Sequence, residues 1–401
     1  MRKSITIFLL IALLALGVQA SSAESQVSEE NHSEWMKIIS VDDGQLSSIW
    51  QLSDGSFVAG GSDANGRLLI GMTDTGDIAW KKNIPGGDEN GTVRFVESSP
   101  SGGLYLFTDG ENLIKTDMKG DVEWTYHQAF GVVTSVEITQ AGDVLLGGDY
   151  YQSFLTMVGK DGAELWNRSL GGPESGGQFR ITSAQSVQDN GFIIAGYVSP
   201  IIAGGEYTGF ILRIDNEGNQ IWANQYKGDD AGFILTITPS YDDGFVAGRI
   251  KFDEASLSIK KDETPTVAYL MFMDSEGKVT EEKPMPGLDM IYYITKGPEN
   301  SYYLLGLYHN SVTDRDEFKV LRTNSKGNII WEKPFENTKI TSVKTTSDSG
   351  IILAGIDENT NQSIIIKMDA KSDAKDVPGF GFISGLFAMT AAGLFVAVRR
   401  K

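Results

Sequence analysis

Three histidines, His32, His127 and His309, are the only imidazoles in 401 residues, and no two stand at a spacing that could share a metal ion. The chain has no cysteine, which excludes thiolate zinc sites, iron–sulfur clusters, cysteine nucleophiles and disulfides. No P-loop, Gly-x-Ser-x-Gly or His-Glu-x-x-His sequence occurs. Acid pairs are present at Asp42-Asp43, Asp229-Asp230 and Asp242-Asp243. Neighbours along a strand point to opposite faces, however, and Gly44 and Gly244 mark two of these pairs as turns. No catalytic residue and no metal site is read here, and the chain is expected not to be an enzyme.

What remains for chemistry is a set of polar residues in long loops: Asp88, Glu89, Glu174, Tyr207, Asp229, Asp230, His309, Asp314 and Arg315. Their overall acidity suits a cation, an amine or a basic protein surface, and a saccharide is a further ligand class. The whole chain carries 53 acidic against 34 basic side chains, a net charge of −19. That balance argues against a nucleic-acid or anionic-lipid footprint and fits a solvated acidic surface in a saline habitat.

The elements that position these loops repeat along the chain. A turn followed by a short apolar strand ending in small residues recurs as Asp54-Gly55-Ser56-Phe57-Val58-Ala59-Gly60-Gly61 and Ala141-Gly142-Asp143-Val144-Leu145-Leu146-Gly147-Gly148, among others. The copies end at Gly61, Thr108, Gly148, Gly196, Gly248, Gly306 and Gly355, in steps of 47, 40, 48, 52, 58 and 49 residues. Such a period belongs to four-stranded propeller blades. A second unit, a Gly turn with Trp four residues on, reads Gly76…Trp80, Gly120…Trp124, Gly162…Trp166, Gly218…Trp222 and Gly327…Trp331, with Gly277…Glu281 as a variant. The turn is often Asp-x-x-Gly: Asp accepts hydrogen bonds through its side chain and Gly supplies the positive φ. With a β-rich run before each first unit, for example 131–139, 179–187 and 339–346, every repeat has strands A, B, C and D. No helical period appears in the body.

The last repeat ends at strand 363–368 with no Trp strand after it, whereas a surplus strand, Glu34-Trp35-Met36-Lys37-Ile38-Ile39, precedes the first. The predicted fold is therefore an all-β, seven-bladed propeller over 34–370, its four-stranded antiparallel blades closed into a ring by this N-terminal outer strand. Trp35, Trp80, Trp124, Trp166, Trp222 and Trp331 read as structural wedges between blades, each burying up to about 4–6 kcal/mol of indole. In an A–B–C–D meander the A–B and C–D turns share one face and the B–C and D–A loops the other. All the long insertions (83–91, 171–178, 197–207, 227–231, 249–265 and 307–316) fall on the second face, which is the expected binding face. The fifth blade departs most, with the longest insertion, Glu281 for Trp, and Pro284 and Pro286 behind it; a weakened outer strand there is a candidate partner edge.

The two ends read as addresses. Arg2 and Lys3, an apolar run and Val18-Gln19-Ala20 form a signal peptide over 1–23, followed by a linker over 24–33. At the other end a short linker, 371–377, leads to Pro378-Gly379-Phe380, an apolar stretch to Val398 and Arg399-Arg400-Lys401. As a helix the stretch spans roughly 28 Å, a bilayer core, with its basic end inside. Asn31, Asn90, Asn167 and Asn361 are possible glycosylation sites.

Residues 378–401 resemble the archaeal PGF-CTERM sorting tail, with Pro378, Gly379 and Phe380 as its motif. That resemblance implies an archaeosortase-type processing enzyme, attachment to a membrane lipid or surface layer, and a place on the outer face of the cell membrane. The Gly-x-x-x-Trp pattern is similar to the repeat of quinoprotein-like (PQQ-type) propellers. That family implies a calcium-and-quinone site, but no calcium-ligand cluster is legible here and a disulfide is impossible, so no cofactor is expected. The function expected is a surface-anchored, non-catalytic binding or structural propeller; the alternatives are an assembly scaffold for envelope proteins and an extracellular enzyme on saccharides or with a quinone.

Overall fold

The computed structural model describes residues 34–85, 91–110, 112–128, 131–149, 152–171, 177–189, 191–200, 207–251 and 267–370. The expected signal peptide, both expected linkers (24–33 and 371–377), the expected sorting tail with Pro378, Gly379 and Phe380, and Asn31 and Asn90 lie outside them. The described chain forms seven four-stranded antiparallel sheets. Blades 1 to 6 are consecutive meanders over residues 46–83, 93–127, 132–170, 177–226, 232–284 and 290–335.

Blade 7 is assembled from both ends of the body. Its strands A, B and C are Thr338–Thr345, Ile351–Asp357 and Gln362–Met368, and strand D is Trp35–Ile39. The pairing runs antiparallel from Trp35↔Lys367 to Ile39↔Ser363, so the ring closes as the strand count requires. In blades 1 to 6 the C–D turn forces a register shift just after it, as between Gly71 and Met72. Blade 7 has no such turn, and its C–D ladder is regular.

Burial orders the strands radially. In blades 1 to 3 strands B and C are buried along nearly their whole length, whereas strand D of blades 1 and 2 is mostly exposed on both faces. Strand A of every blade carries a β-bulge near its start, for example between Leu46 and Ser48 and between Ile181 and Ser183. Bulges bend and twist a strand, and here they free a hydroxyl to reach the next blade. Thr134 Oγ1 donates to the Ile181 carbonyl at 2.7 Å, Thr182 to that of Ile234 at 2.8 Å, and Ser47 to that of Val93 at 2.7 Å. Each seam between neighbouring blades holds its own apolar cluster, including the seam between blades 7 and 1, where Ile365 and Ile352 pack with Ile49 and Ile70.

The repeated Trp sits in these seams, in more than one way. Trp35, Trp124 and Trp166 donate their indole N–H to carbonyls in the C–D turn of the following blade: Asp74 at 3.0 Å, Lys160 at 3.2 Å and Asn216 at 2.9 Å. A Cβ on the turn glycine would press into the ring, 2.7 Å from Trp35 at Gly76 and 2.5 Å from Trp222 at Gly277. Trp80 instead lies over Gly71 of its own blade, where a Cβ would come within 2.1 Å of the indole. Trp331 packs with Tyr303, ring centroids 6.0 Å apart. In blade 5 the wedge has moved to the neighbouring strand. Phe272 pairs with Glu281, and it is Phe272, with Leu270, that meets the turn glycine Gly327 of blade 6.

A second clasp accompanies the wedge two residues further along strand D. Lys37 reaches Asp77 at 2.8 Å, Lys82 reaches Asp121 at 2.6 Å, and Tyr126 donates to Glu164 at 2.6 Å. Arg168 and Asn224 bond the carbonyls of Glu217 and Gly277 at 3.0 and 2.7 Å. Blade 5 keeps this clasp through Lys283, which bonds the Lys326 carbonyl at 3.2 Å and Asn328.

Candidate functional site

The long-loop face is the site to build from its residues, because the B–C and D–A connections all emerge there. Tyr207, at the start of strand C of blade 4, packs edge-on against Phe233 of blade 5, with centroids 4.9 Å apart. Tyr197, across the ladder on strand B, completes a triad at 4.5 Å from Phe233 and 6.1 Å from Tyr207. Tyr207 remains 37% exposed. Beside the triad Arg180 pairs with the nearly buried Asp149 of blade 3 at 2.8 Å. Burial pushes the Tyr197 phenol up.

The strip continues into blade 5. Asp230 stands at the end of a single 3-10 turn, Gly228–Asp230, that opens the D–A connection. Its carboxylate lies 3.6 Å from Arg249 and 3.4 Å from Lys251, and both cations also bond Glu282. Arg249, with a side chain 1% exposed, lies over Tyr226 at 5.1 Å. Burial raises the Tyr226 phenol to about 12. Asp229 lies in the same 3-10 turn, and its side chain is outside the described residues.

His309, Asp314 and Arg315 belong to the B–C hairpin of blade 6, away from the triad. The structure joins the first two: His309 Nε2 is 3.5 Å from Asp314, and Nδ1 is 3.1 Å from Asp316, which the sequence reading left out. Arg315 turns away to Asn337 at 3.0 Å. Glu317 organises the hairpin by accepting from Tyr308 at 2.7 Å and from Asn310 and Thr313 at 2.9 Å. Burial opposes its charge, but these donors outweigh burial and hold the carboxyl below its usual range. Asp88, Glu89 and Glu174 lie outside the described residues. Asn167, on strand D of blade 3, and Asn361, in the B–C turn of blade 7, are both exposed.

A charged cluster that the sequence reading missed lines the axis near the other face. Lys344 of blade 7 crosses the ring of Trp50 of blade 1 at 5.0 Å and pairs with Glu97 of blade 2 at 3.2 Å, with Phe95 at 5.2 Å. Glu137 of blade 3 accepts from the backbone N–H of Ser186 at 2.9 Å and from Gln185 at 3.4 Å. Burial alone would depress the Lys344 ammonium, yet Glu97, joined by Tyr293 and Glu137, more than offsets it and holds the group above its ordinary value. Glu137 is raised by burial, with Glu97 adding to the rise. The sequence signal was a charge at the same point of strand A, two residues past the bulge, in blades 2, 3 and 7. Among the described residues no group of three or more His, Asp or Glu is disposed to hold a metal ion.

No family model matches the chain, and no curated protein matches it significantly. Solved structures do. The virginiamycin B lyase of Staphylococcus aureus superposes with a TM-score of 0.56 at 14% identity, over 84% of this chain and 98% of that one. The WD40 propeller domain of Doa1 gives 0.53 at 15% identity, over 85% and 98%. The WD40 domain of Neurospora crassa Pan2 gives 0.51 at 12%, over 83% and 92%. These likenesses concern the propeller fold, which serves a lyase and WD40 domains alike.

Proposed function

We propose that this chain is a non-catalytic binding module on the outer face of an archaeal cell, tethered by its PGF-CTERM-like tail and engaging its ligand through the long-loop face of blades 3 to 5. The observation that carries the binding face is the convergence of Tyr197, Tyr207 and Phe233 beside the Arg180–Asp149 pair, on the side of a rigid ring where the long loops emerge. Aromatic rings offer flat apolar area, and paired charges offer fixed donors and acceptors around it. A saccharide has both complements, an apolar ring face and a rim of hydroxyls. The export signal and the tail supply the location, and the solvated acidic surface suits it.

The test is binding of the purified body, residues 24–370, to a panel of envelope polysaccharides, with Tyr207→Ala and Phe233→Ala alongside. Expected is saturable binding that falls at least tenfold in either variant while the melting temperature of Tyr207→Ala holds. No binding to any polysaccharide sinks the saccharide reading, and turnover of one sinks the non-catalytic reading.

A further inference from the structure

Both ends of the propeller emerge together on the short-turn face, opposite the long loops. Strand C of blade 7 runs toward that face and ends at Met368, and strand D starts from it at Trp35, paired with Lys367. The exit is clamped. Arg322 of blade 6, whose side chain is 8% exposed, donates from Nη1 to the carbonyl of Ala370 at 2.8 Å. The same guanidinium bonds the Ser301 hydroxyl at 3.0 Å, the Pro298 carbonyl at 3.2 Å and Glu299 at 3.1 Å, so it is anchored in the A–B turn of its own blade. The N–H of Asp369 donates to the Glu34 carboxylate at 3.1 Å. The last body residue therefore leaves in a fixed place from a fixed face.

We propose that the propeller stands on the membrane with its short-turn face inward and its long-loop face outward. This inference rests on the reading of the tail as a membrane anchor. Between Ala370 and Pro378 lie seven residues, 371–377, which reach at most about 25 Å when fully extended. A strand of seven residues is itself about 23 Å long. Turning the ring over would spend the whole leash in crossing the edge of a blade and leave nothing to reach the bilayer. Upright, the same leash sets a gap beneath the ring. The turn carboxylates on the inward face, such as Asp54, Asp117, Asp215 and Asp274, favour that gap over contact with anionic headgroups. The faces are thus sorted by topology, with the ligand face presented away from the cell.

The chain has no cysteine, so single cysteines report position without background. Val312→Cys, at a hairpin residue 92% exposed on the long-loop face, is compared with Ser325→Cys and Ser347→Cys in turns of the opposite face. The full chain is expressed in an archaeal host, its membrane attachment is checked by alkaline extraction, and intact cells are treated with a bulky polyethylene-glycol maleimide. Expected is labelling at position 312 at least fivefold faster than at 325 and 347, with the difference lost after the body is released by proteolysis of the spacer. A long Gly/Ser insertion after Ala370 should also abolish the difference. Equal or reversed rates in a membrane-attached protein overturn the orientation and leave the anchor standing. A protein that washes off the membrane overturns the anchor, and the orientation with it.

Discussion

Lys344 of blade 7 and Glu97 of blade 2 form an ion pair at 3.2 Å, passing the whole of blade 1 on the inner wall of the ring. They are 247 residues apart in sequence, and each side chain is 20% exposed. The pair ties blades that are not neighbours, so it can form only when the ring is closed. Removing one partner strands the other charge in a poorly solvated place. Lys344→Met is expected to cost about 3 kcal/mol and Glu97→Gln a similar amount, with the double variant regaining most of the loss. Urea titrations of the four proteins measure this; additive losses would show that the two groups do not interact.

Glu137 makes the opposite prediction. Burial raises its carboxyl in the folded state above its ordinary value of 4.5. The folded protein therefore holds that proton more tightly than the unfolded chain, and ionised Glu137 is a cost at neutral pH that disappears below the ordinary value. Glu137→Gln should raise the melting temperature at pH 7, and the advantage should fade as pH falls through the raised value and be gone below about 4.5. A variant less stable than the parent at pH 7 would mean that the carboxylate's bonds to Ser186 and Gln185 outweigh its burial.

Closure by the early strand can be weighed through Trp35. Its indole both bonds Asp74 and covers Gly76 in blade 1, as Trp124 does for Lys160 and Gly162 in blade 3. Trp35→Ala is expected to cost about 3 kcal/mol, comparable to Trp124→Ala, despite its place near the start of the body. Equilibrium denaturation decides; a loss below about 1 kcal/mol would mean that the strand is dispensable to the ring.

In blade 5 the wedge should be carried by Phe272 rather than by position 281. Phe272→Ala is expected to lose about 3 kcal/mol, whereas Glu281→Ala should stay within about 0.5 kcal/mol. A large effect at Glu281 in thermal melts, with little at Phe272, would reverse the assignment.

Much of this was written along the chain. The spacing of turn and apolar strand marks seven repeats, and the surplus strand at residues 34–39 marks how the seventh is completed, because each blade needs the same four strands. The Gly-x-x-x-Trp register identifies the seams, since a turn must put glycine where an indole presses against it. Blade 5 was legible only in half. Glu281 read as a loss, because a pattern on one strand cannot show that Phe272 on the adjoining strand has taken over the contact.

The face of the long loops followed from strand order alone, and Tyr207 was among the residues on it. Its companions were not singled out: Tyr197 opens the insertion 197–207 but the structure keeps it on strand B, Phe233 lies in a stretch that reads simply as strand, and three rings meet only when blades 4 and 5 stand side by side. Local sequence determines turns, strand period and blade count, for these depend on dihedral preferences and on burial within a few residues. The axial pair of Lys344 and Glu97 and the common exit of both ends were decided by ring closure, and the clamp of Arg322 on Ala370 by the packing of blade 7 against blade 6. They join groups hundreds of residues apart or on separate blades, and only the angle at which each sheet packs against the next brings such groups within reach.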